Sequence, residues 1–479
     1  MQGGKLSATR LLEFYLERIA RFDQHGPMLG AVLELNPDAR QAAATLDRER
    51  ASGKLRGPMH GIPVLIKDNV ETADHMMTTA GSLALEGWYA PADAPLVARL
   101  RAAGIVVLGK ANLSEWANIR STHSSSGWSA RGGQVRNPHD TARSPSGSSS
   151  GSGAAVAAQL CAVAVGSETD GSIVSPSSSN GIVGIKPTLG LVSRTGIIPI
   201  AHSQDTAGPM ARSVTDAALL LGTMSGPDDK DAASAAAKGH FEADYTRFVN
   251  HDGLRGARLG ILRSTFSSNA ALNRLLDPIV AQLQQAGAEV IDPIKIATDP
   301  GLDAAELAVL LYELKADLNQ YLQRLPANFR VHSLADIIRF NNEQRARELP
   351  FFEQELFEQA QAKGPLTDQA YSKARALCLR VARGGIDGAL KQDRLDAIVS
   401  LTGGPAWLID HVNGDASTGS CSTLPAVAGY PHITVPAVRY MNLPIGLSFF
   451  GTAFTEPRLI QLASGFEAVR GAYAGPKFS

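Results

Sequence analysis

Apolar residues in this chain follow two patterns that alternate along most of its length. After Ser7, a favourable helix N-cap, apolar residues recur every three or four positions as far as Ile19 and predict a first helix. Apolar runs at 64–66 and 104–110 are short and predict buried strands, with a helix at 96–101 between them. A strand, a helix and a second strand in this order are typical of a β-α-β unit with parallel pairing.

The same patterns continue to the end of the chain. Helical periodicity dominates residues 303–394, and Asn112–Trp116 is predicted to open another helix. Further strands are predicted at 31–35, 258–262, 289–291, 396–400, 432–436 and 444–451, and further helices at 37–52, 214–222 and 456–469. No obvious linker separates these elements. The pattern therefore predicts a single large α/β domain over residues 1–479, with a mixed, mostly parallel central sheet covered by helices.

Composition and charge exclude some classes of function but do not identify one. The 479 residues are 44% hydrophobic and 19% charged, which is ordinary for a globular protein with a large core. A formal net charge of −1 does not favour nucleic acid or an anionic membrane as a partner. Three scattered cysteines, and histidines without an H-E-x-x-H arrangement, predict neither a disulfide framework nor a metal site. We expect no cofactor, no metal, no nucleic-acid partner and no membrane partner.

The N-terminal segment and the longest apolar run bear on localisation. Residues 1–5 lead directly into the charged first helix, so no secretory signal is predicted. The apolar run at 152–166 is too short to span a bilayer. We expect a cytoplasmic protein, although a periplasmic or secreted one stays open if a signal peptide has been removed. Monomer and homodimer are both open.

A stretch rich in serine and glycine, residues 144–188, carries the strongest chemical signal. A flexible linker does not fit, because the serines adjoin an apolar segment at 154–165 that is predicted to be buried. A phosphate-binding loop does not fit, because neither G-x-x-x-x-G-K-[ST] nor G-x-G-x-x-G in the required context occurs here. The third interpretation is a nucleophilic serine beside backbone N–H groups that stabilise an oxyanion.

Lys67 ends the predicted strand at 64–66 and allows two interpretations. Its ammonium group can reach solvent past a buried stem. Alternatively the side chain is buried and loses its proton, and the neutral amine is then a base. The neighbouring Asp68 and Asn69 are either polar neighbours of a site or ordinary turn residues. The residue pattern alone leaves these alternatives open.

Five segments together resemble the amidase signature family of serine hydrolases. They are HGIPVLIKDN at 60–69, SPSGSSSGSG at 144–153, GSETDGSIVSP at 166–176, GIKPT at 184–188 and CSTLPAVAGYP at 421–431. The family pattern is approximately G-G-S-S-G-G-S, then G-[ST]-[DE]-x-G-G-S-[IV], then G-x-K-P-[ST]. The motifs occur in the family's order and extend over nearly the whole chain, so the resemblance is specific.

The resemblance implies a catalytic triad. Lys67 falls on the family's catalytic lysine, Ser148 on its central serine and Ser172 on its nucleophile, and the two serines are 24 positions apart as the pattern requires. The family implies a cis peptide bond before Ser148. It also implies an oxyanion hole formed by the backbone N–H groups of Thr169, Asp170, Gly171 and Ser172. Ser146, Ser149, Ser150 and Ser152 are expected to be hydrogen-bonding supports rather than catalysts.

The resemblance also implies where the substrate lies. Residues 58–225 are expected to form the catalytic signature core, and the helical segment 303–394 is expected to cap the cleft. Trp128 and Trp407 are candidate pocket residues, although an ordinary half-buried position is nearly as compatible with Trp128. The expected partner is a small-molecule or peptide amide.

Departures from the family pattern indicate a subfamily. Asp170 replaces the usual glycine, giving Thr-Asp-Gly-Ser, and Val174 stands where arginine is common. With SQDTAGPM at 203–210, these features resemble bacterial peptide amidases, which remove the C-terminal amide of peptides. The alternatives are the amidase subunit of a glutamine-dependent tRNA amidotransferase, a broad aryl or aliphatic amide hydrolase, and a ligand-binding protein with an inactive amidase fold.

Overall fold

Strands from distant parts of the chain meet in one large sheet. In the computed structural model, which describes residues 1, 4–264 and 269–478, the strands are β1 Val32–Leu35, β2 Pro63–Lys67, β3 Val106–Ala111, β4 Trp128–Ser129, β5 Gly133–Gln134, β6 Val163–Glu168, β7 Val183–Lys186, β8 Thr206–Ala211, β9 Arg258–Ile261, β10 Glu289–Ile291, β11 Ala397–Leu401, β12 His432–Tyr440 and β13 Leu443–Phe450. Within these residues, eleven strands form the sheet, and β4 and β5 form a separate hairpin.

The strand order of the sheet is β1-β3-β2-β6-β8-β7-β12-β13-β11-β9-β10. Parallel pairs join β3, β2 and β6 on one side and β11, β9 and β10 on the other. The strands between these two blocks, and β1 at the edge, pair antiparallel. The predicted mixed sheet is therefore confirmed, and β2 and β6 lie next to each other near one end of it.

Helices cover the sheet and form an additional layer. They are α1 Ala8–Arg18, α2 Ala39–Ala51, α3 Pro95–Ala102, α4 Ser150–Ala157, α5 Val174–Asn180, α6 Val214–Met224, α7 Ala270–Asn273, α8 Leu276–Gln285, α9 Leu302–Leu322, α10 Leu334–Glu343, α11 Arg345–Glu348, α12 Glu355–Gln361, α13 Gln369–Asp393, α14 Thr423–Ala428 and α15 Glu456–Arg470. The hydroxyl of Ser7 accepts a hydrogen bond from the Arg10 N–H, so it caps α1 as predicted.

The central strands have apolar side chains on both faces. Val64 and Ile66 of β2 belong to one buried apolar cluster, which includes residues of α3, α6 and α15. Leu65, between them, points into another cluster, with residues of α1, α2 and α4. Alternate side chains of a strand point to opposite faces of a sheet, so both faces are covered. This explains why β2 is a continuous apolar run in the sequence.

The segment at Asn112–Trp116 does not open the predicted α-helix. A short 3-10 turn at Glu115–Asn118 stands there instead, and Trp116 and Ala117 have φ angles of 50° and 52°. The fully buried Glu115 carboxylate lies 3.1 Å from a guanidinium nitrogen of Arg120 and accepts the Ala130 N–H. These contacts hold the backbone in a conformation that a continuing helix could not adopt.

Among the described helices, none combines the length and the apolar character needed to cross a lipid bilayer. Helices α9 to α13 occupy the segment in which helical periodicity dominates the sequence. Glu306, Glu313 and Asp317 of α9 contact the loop that precedes β8. This segment therefore packs beside the carboxyl end of β6.

Truncating the centre of the sheet should destabilise the whole domain. Phe449 on β13 is fully buried, so Phe449→Ala is expected to lower the free energy of unfolding by about 3–5 kcal/mol. Val412 is 88% exposed, and Val412→Ala should stay within about 0.5 kcal/mol of the wild type. Thermal and urea unfolding of the two variants measure this. Equal stability of the two variants would contradict the described core.

Candidate active site

Lys67 lies at the carboxyl end of β2, between β3 and β6, and is fully buried. Its Nζ lies 2.8 Å from the Ser148 Oγ, 2.9 Å from the Ser167 Oγ and 3.2 Å from the Ser167 carbonyl oxygen. A neutral amine has two N–H donors and one lone pair. Two oxygens of Ser167 can accept those donors, and the lone pair can then accept the Ser148 hydroxyl proton.

Burial sets the charge of this amine. Desolvation lowers the pKa of Lys67 from 10.5 to about 7, because the charged form loses its hydration. The carboxyl groups of Glu168 and Asp205 oppose the shift but do not cancel it. The alternative in which the Lys67 ammonium reaches solvent is thus wrong, and a substantial share of Lys67 is neutral near pH 7.

Neighbours of Lys67 fix the orientation of the amine. Asn69 Nδ2 donates to the Ser167 Oγ at 2.9 Å, so the hydroxyl that contacts Lys67 is itself held. Asp68 is fully buried and accepts hydrogen bonds from the backbone N–H groups of Thr79 and Gly81. Asn69 therefore supports the site directly, whereas Asp68 fixes the adjoining chain segment.

The loop that carries Ser148 leads into the first turn of α4. The peptide bond between Gly147 and Ser148 is cis, as the family resemblance implies. Three of the four expected supporting hydroxyls are confirmed: Ser150 Oγ donates to the Ser146 carbonyl at 2.7 Å, and Ser149 and Ser152 donate to strand β6 at 3.0 Å. Ser146 takes part through its backbone carbonyl rather than its hydroxyl. These bonds join the loop to β6, and Ser148 is the serine of this loop whose hydroxyl contacts Lys67.

Ser172 lies between the end of β6 and the start of α5 and is nearly buried. Its carbonyl accepts the Ser149 N–H at 3.1 Å, so the loop of Ser148 and the turn of Ser172 are in contact. In the part of the chain that the structure describes, no hydrogen bond joins the Ser148 and Ser172 hydroxyls. The structure thus brings the three predicted residues into one region and links Lys67 to Ser148 directly.

Buried carboxylates hold the turn before Ser172 from both ends. Glu168 Oε2 accepts the N–H groups of Ile173 and Val174 at 2.7 and 3.0 Å, which caps the start of α5. Thr169 Oγ1 donates to Asp205 Oδ1 at 2.6 Å. Burial raises the pKa of Asp205 to about 6, although hydrogen bonds from Thr169 and from two backbone N–H groups oppose the shift.

The turn leaves its backbone donors available. Within residues 1, 4–264 and 269–478, the N–H groups of Thr169, Asp170, Gly171 and Ser172 have no hydrogen-bond acceptor. Gly171 has a φ of 80°, a left-handed conformation that favours glycine. Free backbone N–H groups in such a turn can bind a developing oxyanion.

A cavity of about 290 Å³ borders the turn. Its walls include Gly147, Asp170, Trp407 and Thr423, so the predicted pocket residue Trp407 lies on it. Trp407 Nε1 donates to the Asp415 carboxylate at 2.9 Å, which fixes the indole. A larger cavity of about 640 Å³ lies against α9, and its walls include Asp205 and Asp317.

Trp128 is not among the residues that line the 290 Å³ cavity. It is buried, with its ring edge-on to Phe351 and Phe352, and the Arg120 guanidinium lies 5.5 Å from the ring centre. These contacts indicate a packing role between the hairpin β4–β5 and the segment after α11.

One group of described residues has the composition of a metal site. His202, Glu313 and Asp317 each place a ligand atom within 4.8 Å of the others. His202 Nδ1 lies 2.9 Å from Asp317 Oδ2, and its Nε2 lies 3.6 Å from Glu313 Oε1. The Asp317 carboxylate raises the pKa of His202. The group is accounted for as an ion pair that joins the loop before β8 to α9.

Several residues at the site were not predicted from the sequence. Ser167 contacts Lys67, Asp205 holds Thr169, and Thr423 holds the Asp170 side chain. Ser167 lies in GSETDGS and Thr423 in CSTLP, so both fall inside segments that resemble the family. Only the pairing of β2 with β6 shows that Ser167 reaches Lys67.

Known proteins similar to this chain show the family to which it belongs. A family model described as Amidase matches residues 10–460. A probable amidase of Arabidopsis thaliana is 41% identical over 483 residues, covering 99% of this chain and 89% of that protein. The chain is an amide-hydrolysing enzyme. It belongs to the amidase signature family, and the resemblance carried by its motifs is confirmed.

Two further proteins similar to this chain have more specific names. The solved structure of native peptide amidase from Stenotrophomonas maltophilia is 51% identical, with a TM-score of 0.95, and the match covers 99% of this chain and 96% of that one. One subunit of the glutamyl-tRNA(Gln) amidotransferase of Symbiobacterium thermophilum is 34% identical over 483 residues, covering 97% of this chain and 94% of that protein. Both relatives span essentially the whole fold.

The conformation of Gly171 gives a test of the turn. A Cβ at this position would lie 2.9 Å from the Ser175 Oγ and 3.0 Å from the Ser422 Oγ, at a φ that alanine disfavours by about 1–2 kcal/mol. Gly171→Ala should therefore lower the melting temperature and reduce amide hydrolysis.

Gly388→Ala is the matched control, because Gly388 is exposed on α13 and no atom would meet its Cβ within 4 Å. It should be neutral or stabilising by up to about 1 kcal/mol. Wild-type stability and activity in Gly171→Ala would contradict the proposed need for glycine in the turn.

Proposed function

We propose that this enzyme hydrolyses carboxamides to a carboxylate and ammonia through Lys67, Ser148 and Ser172. The 2.8 Å contact between a fully buried Lys67 amine and the Ser148 hydroxyl supports this assignment most directly. A neutral amine is the base that such a relay needs, and burial supplies it near pH 7.

In the proposed first half-reaction, Lys67 takes the Ser148 proton while Ser148 takes the Ser172 proton. The Ser172 Oγ then attacks the carboxamide carbon. The C=O bond becomes a C–O⁻ single bond, which the free N–H groups of residues 169–172 stabilise. Loss of one such donor typically costs about 3–4 kcal/mol of transition-state stabilisation.

The intermediate collapses when the C–N bond breaks. The proton held by Lys67 returns through Ser148 to the leaving nitrogen, so ammonia departs and an ester to Ser172 remains. Water then enters and gives its proton to the same relay. Its oxygen attacks the ester, and Ser172 leaves with the proton from Ser148. Each step uses side chains and backbone groups of this chain.

The favoured substrate class is the C-terminal amide of peptides. The similarity to peptide amidase extends over nearly the whole chain, and the Thr-Asp-Gly-Ser sequence that ends in the nucleophile resembles that subfamily. The cavity beside the turn is close to the lower limit of the size range of small-ligand sites. We expect the enzyme to act on this substrate without a second protein.

A second candidate is the amidase subunit of a tRNA amidotransferase, because one subunit of such an enzyme is 34% identical over 97% of this chain. The purified protein should release ammonia from a peptide amide faster than from glutamine, without ATP or a partner protein. Glutamine as the best substrate, or ammonia release only with added partner proteins and ATP, would favour the alternative.

Removing the nucleophile should abolish hydrolysis. We expect Ser172→Ala to lower kcat by about 10⁴-fold or more and to lose labelling by a fluorophosphonate probe, because no oxygen is left to form the adduct. Ser177→Ala changes a buried serine of α5 that does not line the 290 Å³ cavity; it is the matched control and should still be labelled. Labelling of Ser172→Ala at the wild-type rate would place the nucleophile elsewhere.

The charge of Lys67 should appear in the pH profile. Its pKa of about 7 means that lowering the pH protonates the base. The kcat/KM should therefore rise about tenfold per pH unit below pH 7 and level off above it. Lys67→Ala should lower activity by about 10²–10⁴-fold, and its kcat/KM should no longer rise with pH below pH 7. A flat wild-type profile between about pH 5 and 8 would contradict the assignment of Lys67 as the base.

A further inference from the structure

Asp170 lines the 290 Å³ cavity that borders the turn of the candidate nucleophile. Its Oδ2 accepts a hydrogen bond from Thr423 Oγ1 at 2.8 Å. Its Oδ1 is shielded from solvent and, within the residues that the structure describes, has no hydrogen-bond donor. A buried carboxylate oxygen without a donor is costly, so the position calls for one.

Nearby groups do not satisfy this oxygen. The Lys186 ammonium favours ionised Asp170 through its charge, but it donates to the Pro187 carbonyl at 3.3 Å. Burial raises the pKa of Asp170, and the Ser422 hydroxyl, which lies near the carboxyl group, opposes that rise. Oδ1 itself has no donor in hydrogen-bonding geometry. Asp303, also nearby, disfavours the ionised form. Within the described residues, Oδ1 is therefore a buried acceptor without a donor, on a residue that lines the cavity.

The position of Asp170 relates it to the reaction. It lies two residues before Ser172, and its cavity wall is shared with Gly147, the residue before Ser148. We expect a carboxamide positioned for attack by Ser172 to lie near this wall. A peptide amide brings two kinds of N–H there: the scissile carboxamide NH₂ and the N–H of the preceding peptide group.

We propose that Asp170 Oδ1 accepts an N–H of the amide substrate and is a specificity-determining residue. This inference rests on the proposed function and names the chemistry that the substrate must carry. The charge-assisted hydrogen bond would favour amides that present an N–H at this wall over esters or N-methylated analogues that lack it. It also gives a physical role to an aspartate where the family usually has glycine.

The test uses three substrates and two variants. The substrates are an N-acetyl amino-acid amide, the same compound methylated on its acylamino nitrogen, and the corresponding methyl ester. The last two each remove one source of N–H. Asp170→Ala removes the acceptor, while Asp170→Asn keeps an uncharged oxygen in the same place. Asp252→Ala changes an exposed aspartate and should behave as the wild type.

Asp170→Ala should lower kcat/KM on the parent amide by about 10–100-fold, and Asp170→Asn by less. On the analogue that lacks the recognised N–H, the wild-type kcat/KM should be lower than on the parent amide by a similar factor. Asp170→Ala should lower kcat/KM on that analogue only slightly further. The analogue that shows this non-additivity identifies the source of the N–H. An equal loss on all three substrates, or no loss on the parent amide, would overturn the proposal.

Fluorophosphonate labelling of Ser172 separates this proposal from the proposed function. If Ser172 is labelled in wild type and in Asp170→Ala, the nucleophile is intact, and the substrate series alone decides the role of Asp170. If wild-type Ser172 is not labelled and the enzyme still hydrolyses the amide, the proposed function fails first. Melting temperatures of both Asp170 variants check that they are folded.

Discussion

The burial of one amine is the constraint on which the site depends. Lys67 ends a strand that is covered on both faces, so its side chain has no path to solvent. In the unfolded chain its pKa is the ordinary 10.5, whereas in the fold it is about 7. Folding must therefore expel the proton or carry a buried charge. The resulting decrease in the free energy of unfolding is largest below pH 7 and becomes smaller as the pH rises toward 10.5. A neutral base near physiological pH is the functional gain.

The remaining polar groups are arranged around that amine and around the turn that contains Ser172. Strand β6 supplies Ser167 to Lys67 and Glu168 to the start of α5, so one strand fixes both ends of the proposed relay. The loop before β8 holds Thr169 through Asp205, and α9 contacts the same loop through Glu306 and Glu313. Helical packing outside the signature region thus positions the turn. Active sites often contain locally unfavourable arrangements that the surrounding structure holds in place, and this site follows that rule.

Much of the fold follows from local patterns, while much of the site depends on distant contacts. Strand β2 and helix α1 were predictable because burial on two faces and a capped amphipathic repeat leave clear periodicities. The turn at Trp116 was not, because its positive φ angles depend on a buried carboxylate and a guanidinium that meet only in the folded chain. Motifs alone located Lys67, Ser148 and Ser172. The role of Ser167 could not be predicted, because Ser167 reaches Lys67 only when β2 and β6 pair, and the two residues are 100 positions apart.

Direct titration of the Lys67 amine tests the central claim most directly. The protein can be labelled with ¹⁵N-lysine, and the Nζ resonance can be followed against pH and assigned by its absence in Lys67→Met. A midpoint near pH 7 is predicted, since burial lowers the pKa to about that value. A midpoint near the ordinary 10.5 would contradict the account, because the amine would then be an ammonium at neutral pH and could not accept the Ser148 proton.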